Sequence, residues 1–376
     1  MRSTPTAHDG AGSTPTGGKL PPAAVLCAVG KVRGALERLH RATAPAHIGL
    51  LELGLGSWFT AALYAAVRLG IADELAGGPL GAEQVAARVG ADPQATQRLM
   101  RALASRSVLK LRRDGTFALT RLGAALRSDH PESMAPMIAF VGSRQHWEHW
   151  SELTHSVRTG RTSVEKLRGV PIFDYLDTDP DFARLFDDAM TGGSRAVIEN
   201  AVPAYDFSSR RLVVDVGGGQ GGLLAAILGR APEARGILFD RPPVIAGADA
   251  VLGPAGVRSR FRAEGGSFFE TVPAGGDTYV LKAIIHDWDD RDSVSILGNV
   301  RSAIAEDGRL LLFEMVLPER PQAHLGFLVD LEMLVSAGGR ERTASEYAHL
   351  LSAAGFRMTR VIPTASPLSI VEAVPV

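Results

Sequence analysis

At 376 residues the chain exceeds what one hydrophobic core usually organises, so two domains are expected. Apolar residues make up 45% and charged residues 22%, ordinary for a globular protein, and a net charge of -1 leaves no overall footprint for nucleic acid or an anionic membrane. The single cysteine, Cys27, excludes an intramolecular disulfide framework and a cysteine metal cluster, and fits a reducing compartment such as the cytoplasm.

Residues 1–20 are rich in Ser, Thr, Pro and Gly and carry too little apolar surface to offset their ordering entropy, so a disordered tail is expected. The short apolar run Pro21 to Val29 has the length of a signal-peptide core. It continues into Lys31, Arg33, Glu37 and Arg41 at helical spacing without a cleavage site, so it reads as helix. From Pro22 to about Leu75 the pattern stays helical and strongly apolar. Ile48 to Val67 is about long enough to span a bilayer, but it contains Glu52 and three glycines and reads as a pair of buried helices.

A compact unit follows. Gly81 to Val89 is a short helix, and Asp92-Pro93 opens a second with a cap and a first-turn proline. Val108 to Leu111 and Thr116 to Thr120, joined through Asp114-Gly115, form a hairpin, which completes a winged-helix pattern. Between Pro79 and Arg127 nine Arg and Lys face three acids, which invites a DNA-binding reading. Against it, the second helix spends its surface on apolar residues and the whole chain is neutral. The domains expected are the tail, a winged-helix unit over 21–128 and a second domain over 129–376.

Residues 131–205 are helical and carry an aromatic stripe that serves as core and joins the two domains. From Arg211 the texture turns to alternating strands and helices. Strands are expected at Leu212 to Val216, Gly236 to Asp240, Val257 to Ala263, Asp277 to Ile284 and Arg309 to Val316. Helices over Leu223 to Arg230, Pro243 to Leu252 and Ser293 to Ala305 separate most of them, giving an open doubly wound α/β sheet. Phe356 to Pro363 and Pro367 to Val374 form a terminal antiparallel hairpin, unlike most dinucleotide-binding domains.

Gly217 to Gly222 follows the first strand and opens a helix, as a loop that admits an adenosine ligand must. It satisfies the dinucleotide pattern too, and Asp240 at the end of the second strand suits a ribose in either case. Asp215 within the strand, the extra glycines and the hairpin favour a methyltransferase over a nicotinamide enzyme.

Val214 to Gly221, Phe239 to Val244, Leu281 to Asp290 with its His286-Asp287-Trp288, and Gly338 to Thr343 lie in order at fitting spacings. Together they resemble the S-adenosylmethionine-dependent O-methyltransferases of the plant caffeate and bacterial aromatic polyketide type. The resemblance implies a class I methyltransferase sheet and an N-terminal winged-helix dimerisation domain. It places Gly217 and Gly219 at the methionine side of the cofactor, Asp240 on the ribose, and Phe268 on the adenine. Lys282 would reach the adenine-side wall, Trp288 would cover the ring, and Met190 and Ser194 would touch cofactor and substrate. Ser267 stands where relatives usually carry an acid that accepts from the adenine amine.

The chemistry needs an acceptor oxygen in line with the methyl group and a base for its proton. A phenol has a pKa of about 10, so a base is useful at neutral pH. His286 lies just past the fourth strand, at the carboxyl edge where ligands bind in such sheets, and is expected to be that base. Glu314 and Glu341 match acids that flank it in relatives and would orient it. Asp289 and Asp290 read as caps of the following helix rather than metal ligands, so a metal-independent enzyme is expected. The substrate expected is a phenol or enol on an aromatic or polyketide-like scaffold, with Phe140, Trp147, Phe173 and Met333 lining its pocket. A homodimer with no nucleic-acid or membrane partner completes the reading. The rivals are a relative with an altered reaction and a DNA-binding regulator that senses the cofactor.

Overall fold

The structure, a computed structural model of one chain, describes residues 23–376. The tail expected over 1–20 lies outside the described residues. The chain enters through helices Ala23–Ala42, Ala46–Gly54 and Gly56–Arg68. Helices Ala82–Val89 and Pro93–Ser105 follow, then the hairpin of β1 (Leu109–Leu111) and β2 (Phe117–Leu119). Asp92 caps its helix as its position dictates, its carboxylate accepting from Ala95 N at 2.7 Å. Ile71, Val85, Met100, Leu103, Val108 and Phe117 are buried together and hold this unit.

One expectation is corrected here. The helices within Ile48 to Val67 form, but they are not buried in the chain: Leu50 is 71% exposed and Trp58 72% exposed. The span Ala46–Arg68 is long and apolar enough to cross a membrane by length and composition alone. Val32, Leu36 and Leu39 on the first helix are exposed as well. The apolar pattern is present, but this chain does not bury it.

Helices between Ala135 and Ala201 form a bridging layer, in which Phe140, Tyr175 and Phe182 pack among one another. Beyond it lies a sheet of seven strands. They are β3 (Leu212–Val216), β4 (Arg235–Asp240), β5 (Phe261–Gly265), β6 (Thr278–Lys282) and β7 (Arg309–Glu314), with the late strands below. A two-stranded parallel ladder, β8 (Val316–Leu317) with β9 (Arg342–Thr343), stands apart from the main sheet. The hairpin of β10 (Phe356–Pro363) and β11 (Ser369–Pro375) closes the order β10-β11-β7-β6-β3-β4-β5. Strands β3 to β7 pair in parallel, and β11 runs antiparallel to both β7 and β10. The chain moves outward from β3 to β5, then jumps back to β6 on the other side of β3. That reversal opens a crevice at the carboxyl ends of β3 and β6.

Two boundaries differ from the expected ones for visible reasons. The third strand begins at Phe261, not Val257, because Gly256 turns the chain at φ +70° and Arg258–Arg260 form a 3-10 turn. The Arg260 guanidinium there donates to the carbonyls of Leu228, Ala231 and Ala234. The helix expected over Pro243 to Leu252 is broken into Pro242–Ile245 and Ala248–Leu252, with Gly247 between them.

Candidate active site

The glycine loop sits at the mouth of that crevice. Gly217 and Gly219 take φ of +67° and +59°, a region that side chains disfavour. A Cβ on Gly217 would strike the Ile284 side chain at 2.5 Å, whereas one on Gly219 would meet nothing within 4 Å. The glycine at 219 thus presents bare backbone to open space, as a cradle for a bulky ligand requires. Asp240, ending β4, accepts from Gly219 N at 2.8 Å and from Arg241 N at 2.7 Å. Below the loop Asp215 is buried and accepts from Leu224 N at 3.2 Å. Burial pushes its carboxyl up to about 7 against the pull of Lys282. On the other flank Ile198 approaches Gly222, and Ser194 lies one helical turn before it, with Met190 exposed a turn further back.

An aromatic wall faces the loop. Trp288 meets Phe269 edge-on at 4.7 Å between ring centroids, Phe268 edge-on at 6.0 Å and Phe173 in a stack at 6.1 Å. The Phe268 carbonyl accepts from Asn299 Nδ2 at 2.8 Å, which fixes that turn from behind. Ser267 Oγ accepts from Phe269 N within the same turn. Lys282 ends β6, half-buried, under the electrostatic pull of Asp215, Glu314 and Asp287. Burial holds its pKa below the usual lysine range against those three acids.

His286 stands in a 3-10 turn, Ile285–Asp287, just past β6. Its Nδ1 donates to Glu341 Oε1 at 2.8 Å, and Nε2 lies 3.5 Å from Asp287 Oδ1. Glu314, at the end of β7 and fully buried, accepts from Ile284 N at 3.2 Å and Ile285 N at 2.9 Å. Burial lowers the imidazole pKa, but Asp287, the bond to Glu341 and Glu314 outweigh it and raise it to about 10. Burial likewise pushes Glu314 up to about 7, with His286 opposing. One ligating atom each from His286, Glu314 and Glu341 lie within 4.8 Å of one another, close enough to hold a metal ion. Glu341 Oε1 is committed to His286 and Glu314 Oε1 to two backbone amides, while Oε2 of each is buried without a hydrogen-bond partner. The expected double cap at the next helix is corrected. Asp289 caps it through Asp292 N, while Asp290 pairs with Arg342 instead.

Of the proposed pocket residues, Phe173 joins the aromatic wall. Phe140 is buried against Phe182, Phe186 and His146 in the bridging layer. Met333 is nearly buried on helix Gly326–Val335, and Trp147 is 37% exposed. Sequence reasoning missed Phe269, signalled only by its place beside Phe268. It also passed over Asp287 as a neighbour of Nε2, which depends on how the turn folds.

Residues 150–357 match the O-methyltransferase domain family, and residues 51–129 match the O-methyltransferase dimerisation domain. The chain is 46% identical to the phenazine O-methyltransferase PhzM of Lysobacter antibioticus, over 87% of this chain and 96% of that one. It is 41% identical to the mitomycin biosynthesis 6-O-methyltransferase of Streptomyces lavendulae, over 84% and 91%. Among solved structures it superposes with a TM-score of 0.81 on CalO1, the methyltransferase in calicheamicin biosynthesis, in its SAH-bound form. That match is 37% identical and covers 88% of this chain and 98% of CalO1. Fold, cradle and these matches agree: the chain belongs to the S-adenosylmethionine-dependent O-methyltransferase family.

Proposed function

We propose that the protein moves the methyl group of S-adenosylmethionine onto a hydroxyl of a small aromatic or polyketide-like metabolite in the cytoplasm, with His286 as general base. The observation that carries this is the held imidazole: Glu341 engages Nδ1 at 2.8 Å, while Nε2, with only Asp287 Oδ1 at the longer 3.5 Å, is the nitrogen that would meet an acceptor hydroxyl. When bound, S-adenosylmethionine supplies a methyl group already activated on a sulfonium. Gly217, Gly219 and Asp240 would hold its methionine and ribose ends, and Phe268, Trp288 and Ser267 its adenine. Met190 and Ser194 would close the flank. Lys282 would balance the buried acids from inside.

The resting imidazole carries a proton at neutral pH, since its pKa is raised to about 10. A base must shed that proton first. A bound sulfonium would add positive charge and so favour the neutral imidazole, while Glu341 keeps the ring aligned and Glu314 keeps the turn in place. The relative that acts on phenazine supports a flat, fused aromatic acceptor, for which Phe173 and Trp288 offer stacking faces. Phe140, Trp147 and Met333 would support that pocket from the bridging layer and the helix beside it. We further propose that a second copy covers the exposed apolar helices, which the match to a dimerisation domain supports. A winged helix serves here as a packing unit.

A methyl-transfer screen over phenols of graded acidity tests the reading. His286→Ala is expected to lower turnover by ~10² to 10⁴, with little change in S-adenosylhomocysteine affinity. Wild-type turnover by the variant on a high-pKa phenol would overturn the assignment.

A further inference from the structure

Arg342 lies in β9 and its side chain is wholly buried. Among the described residues its only carboxylate partner is Asp290, which accepts from Nε at 3.0 Å and Nη2 at 2.8 Å and is itself 61% exposed. Most of the guanidinium's other bonds go to backbone. Nη1 donates to Ile285 O at 3.0 Å and Arg340 O at 3.3 Å, and Nη2 to Trp288 O at 2.9 Å. Ile285 and Trp288 bracket His286, so one guanidinium grips the turn of the proposed base on both sides. Ser293 Oγ reinforces the grip, accepting from Nη2 at 3.4 Å and donating toward the same two carbonyls.

Within the turn Asp287 N and Trp288 N bond back to Ile284 O and Ile285 O, and Ile285 is buried in the sheet core. The turn leaves β6 through Ala283, whose φ of +52° is unfavourable for a residue with a side chain. Across to its neighbours, Ile284 N and Ile285 N are taken by Glu314 from β7, and Ile285 O and Trp288 O by Arg342 from β9. Burying a guanidinium is a poor way to gain stability, since apolar residues of like volume do as well or better. A rigid planar fork that reaches several acceptors at once is, by contrast, what fixing a turn demands. Lysine, a single point with three donors, cannot span them.

We propose that Arg342 is a positioning residue, whose guanidinium holds the turn from Ile285 to Trp288 so that His286 and the Trp288 face keep their places over the cofactor cradle. The catalytic part of this rests on the reading of His286 as base. The test compares full-length wild type, Arg342→Lys, Asp290→Ala and His286→Ala by turnover, pH profile and amide hydrogen exchange over 284–288.

Arg342→Lys is expected to speed exchange in that segment at least tenfold while β3 and β7 stay protected. Turnover should fall by about 10²-fold, the usual cost of a small misplacement, with acceptor KM changing much less. The limb of the pH profile assigned to His286 should move to lower pH, because the loosened ring loses its alignment with Glu341. A variant that melts earlier yet keeps wild-type turnover, pH limb and exchange would overturn the proposal.

Should the lysine variant fail to fold, Asp290→Ala removes two of the guanidinium's bonds at an exposed position. It should speed the same amides and cut turnover several-fold, and unchanged values would overturn the proposal equally. Full activity in His286→Ala alongside a loosened turn in Arg342→Lys would sink the base and leave the clamp standing.

Discussion

The imidazole of His286 sits between two carboxylates, Glu341 on Nδ1 and Asp287 near Nε2, and this sandwich makes its charge state part of the mechanism. A folded-state pKa of about 10 stabilises the fold fully below the ordinary value of 6.5, and that contribution is lost as pH rises through 10. The gap in denaturant midpoint between wild type and His286→Ala should therefore be wider at pH 7 than at pH 10.5. The same charge predicts that S-adenosylmethionine binding expels a proton. Titration calorimetry in buffers of different ionisation enthalpy should show more proton release with S-adenosylmethionine than with S-adenosylhomocysteine, whose sulfur is neutral. Equal release would mean that the sulfonium does not act on His286. Ser267→Asp should tighten S-adenosylhomocysteine binding by restoring an acceptor at the adenine, and unchanged affinity would show the ring is satisfied otherwise. His286, Glu314 and Glu341 could be named from the chain because they match the base and flanking acids of the family it resembles. The approach of Asp287 to Nε2 could not be read there, since it follows from the torsions of one short turn.

At the scale of elements, the segment Gly338 to Thr343 passes directly beneath the turn that carries His286. A Cβ on Gly339 would sit 2.1 Å from His286 O and 2.3 Å from Asp287 C, both backbone atoms that have nowhere to go. Gly339→Ala is therefore expected to push the two segments apart and lower activity at least tenfold, measured per folded molecule by active-site titration with S-adenosylhomocysteine. Activity near wild type would show that the segments separate freely. Most elements were legible because their patterns are local: β3 as an unbroken apolar run, the hairpin after Asp114-Gly115, the capped helix after Asp92. The start of β5 was not, because Arg260 is drawn to carbonyls about thirty residues away in sequence. The crossing at Gly339 was equally hidden, since a glycine shows only that space is short, not what fills it.

For the whole molecule, the exposed apolar helices decide the state of assembly. Leu50, Leu51, Leu53 and Trp58 are each more than half exposed, and burying each one is worth roughly 1.5–3 kcal/mol. Light scattering should report a dimer at micromolar concentration, and Leu50→Glu with Trp58→Glu should yield monomer; a wild-type monomer would refute the assembly. Periodicity marks an apolar face without naming its partner, which is why the pattern reads as an internal pair. The position of β11 bears on how the chain is made. It lies between β10 and β7, pairs Ser369 with Glu314, and follows every other strand in the chain. While the ribosome is still adding it, the glycine loop and His286 have already emerged, yet β7 is an unpaired edge and the strand carrying Glu314 is open to wrong partners. A message broken shortly before codon 369 would thus release a chain that holds every proposed catalytic residue and is prone to aggregate.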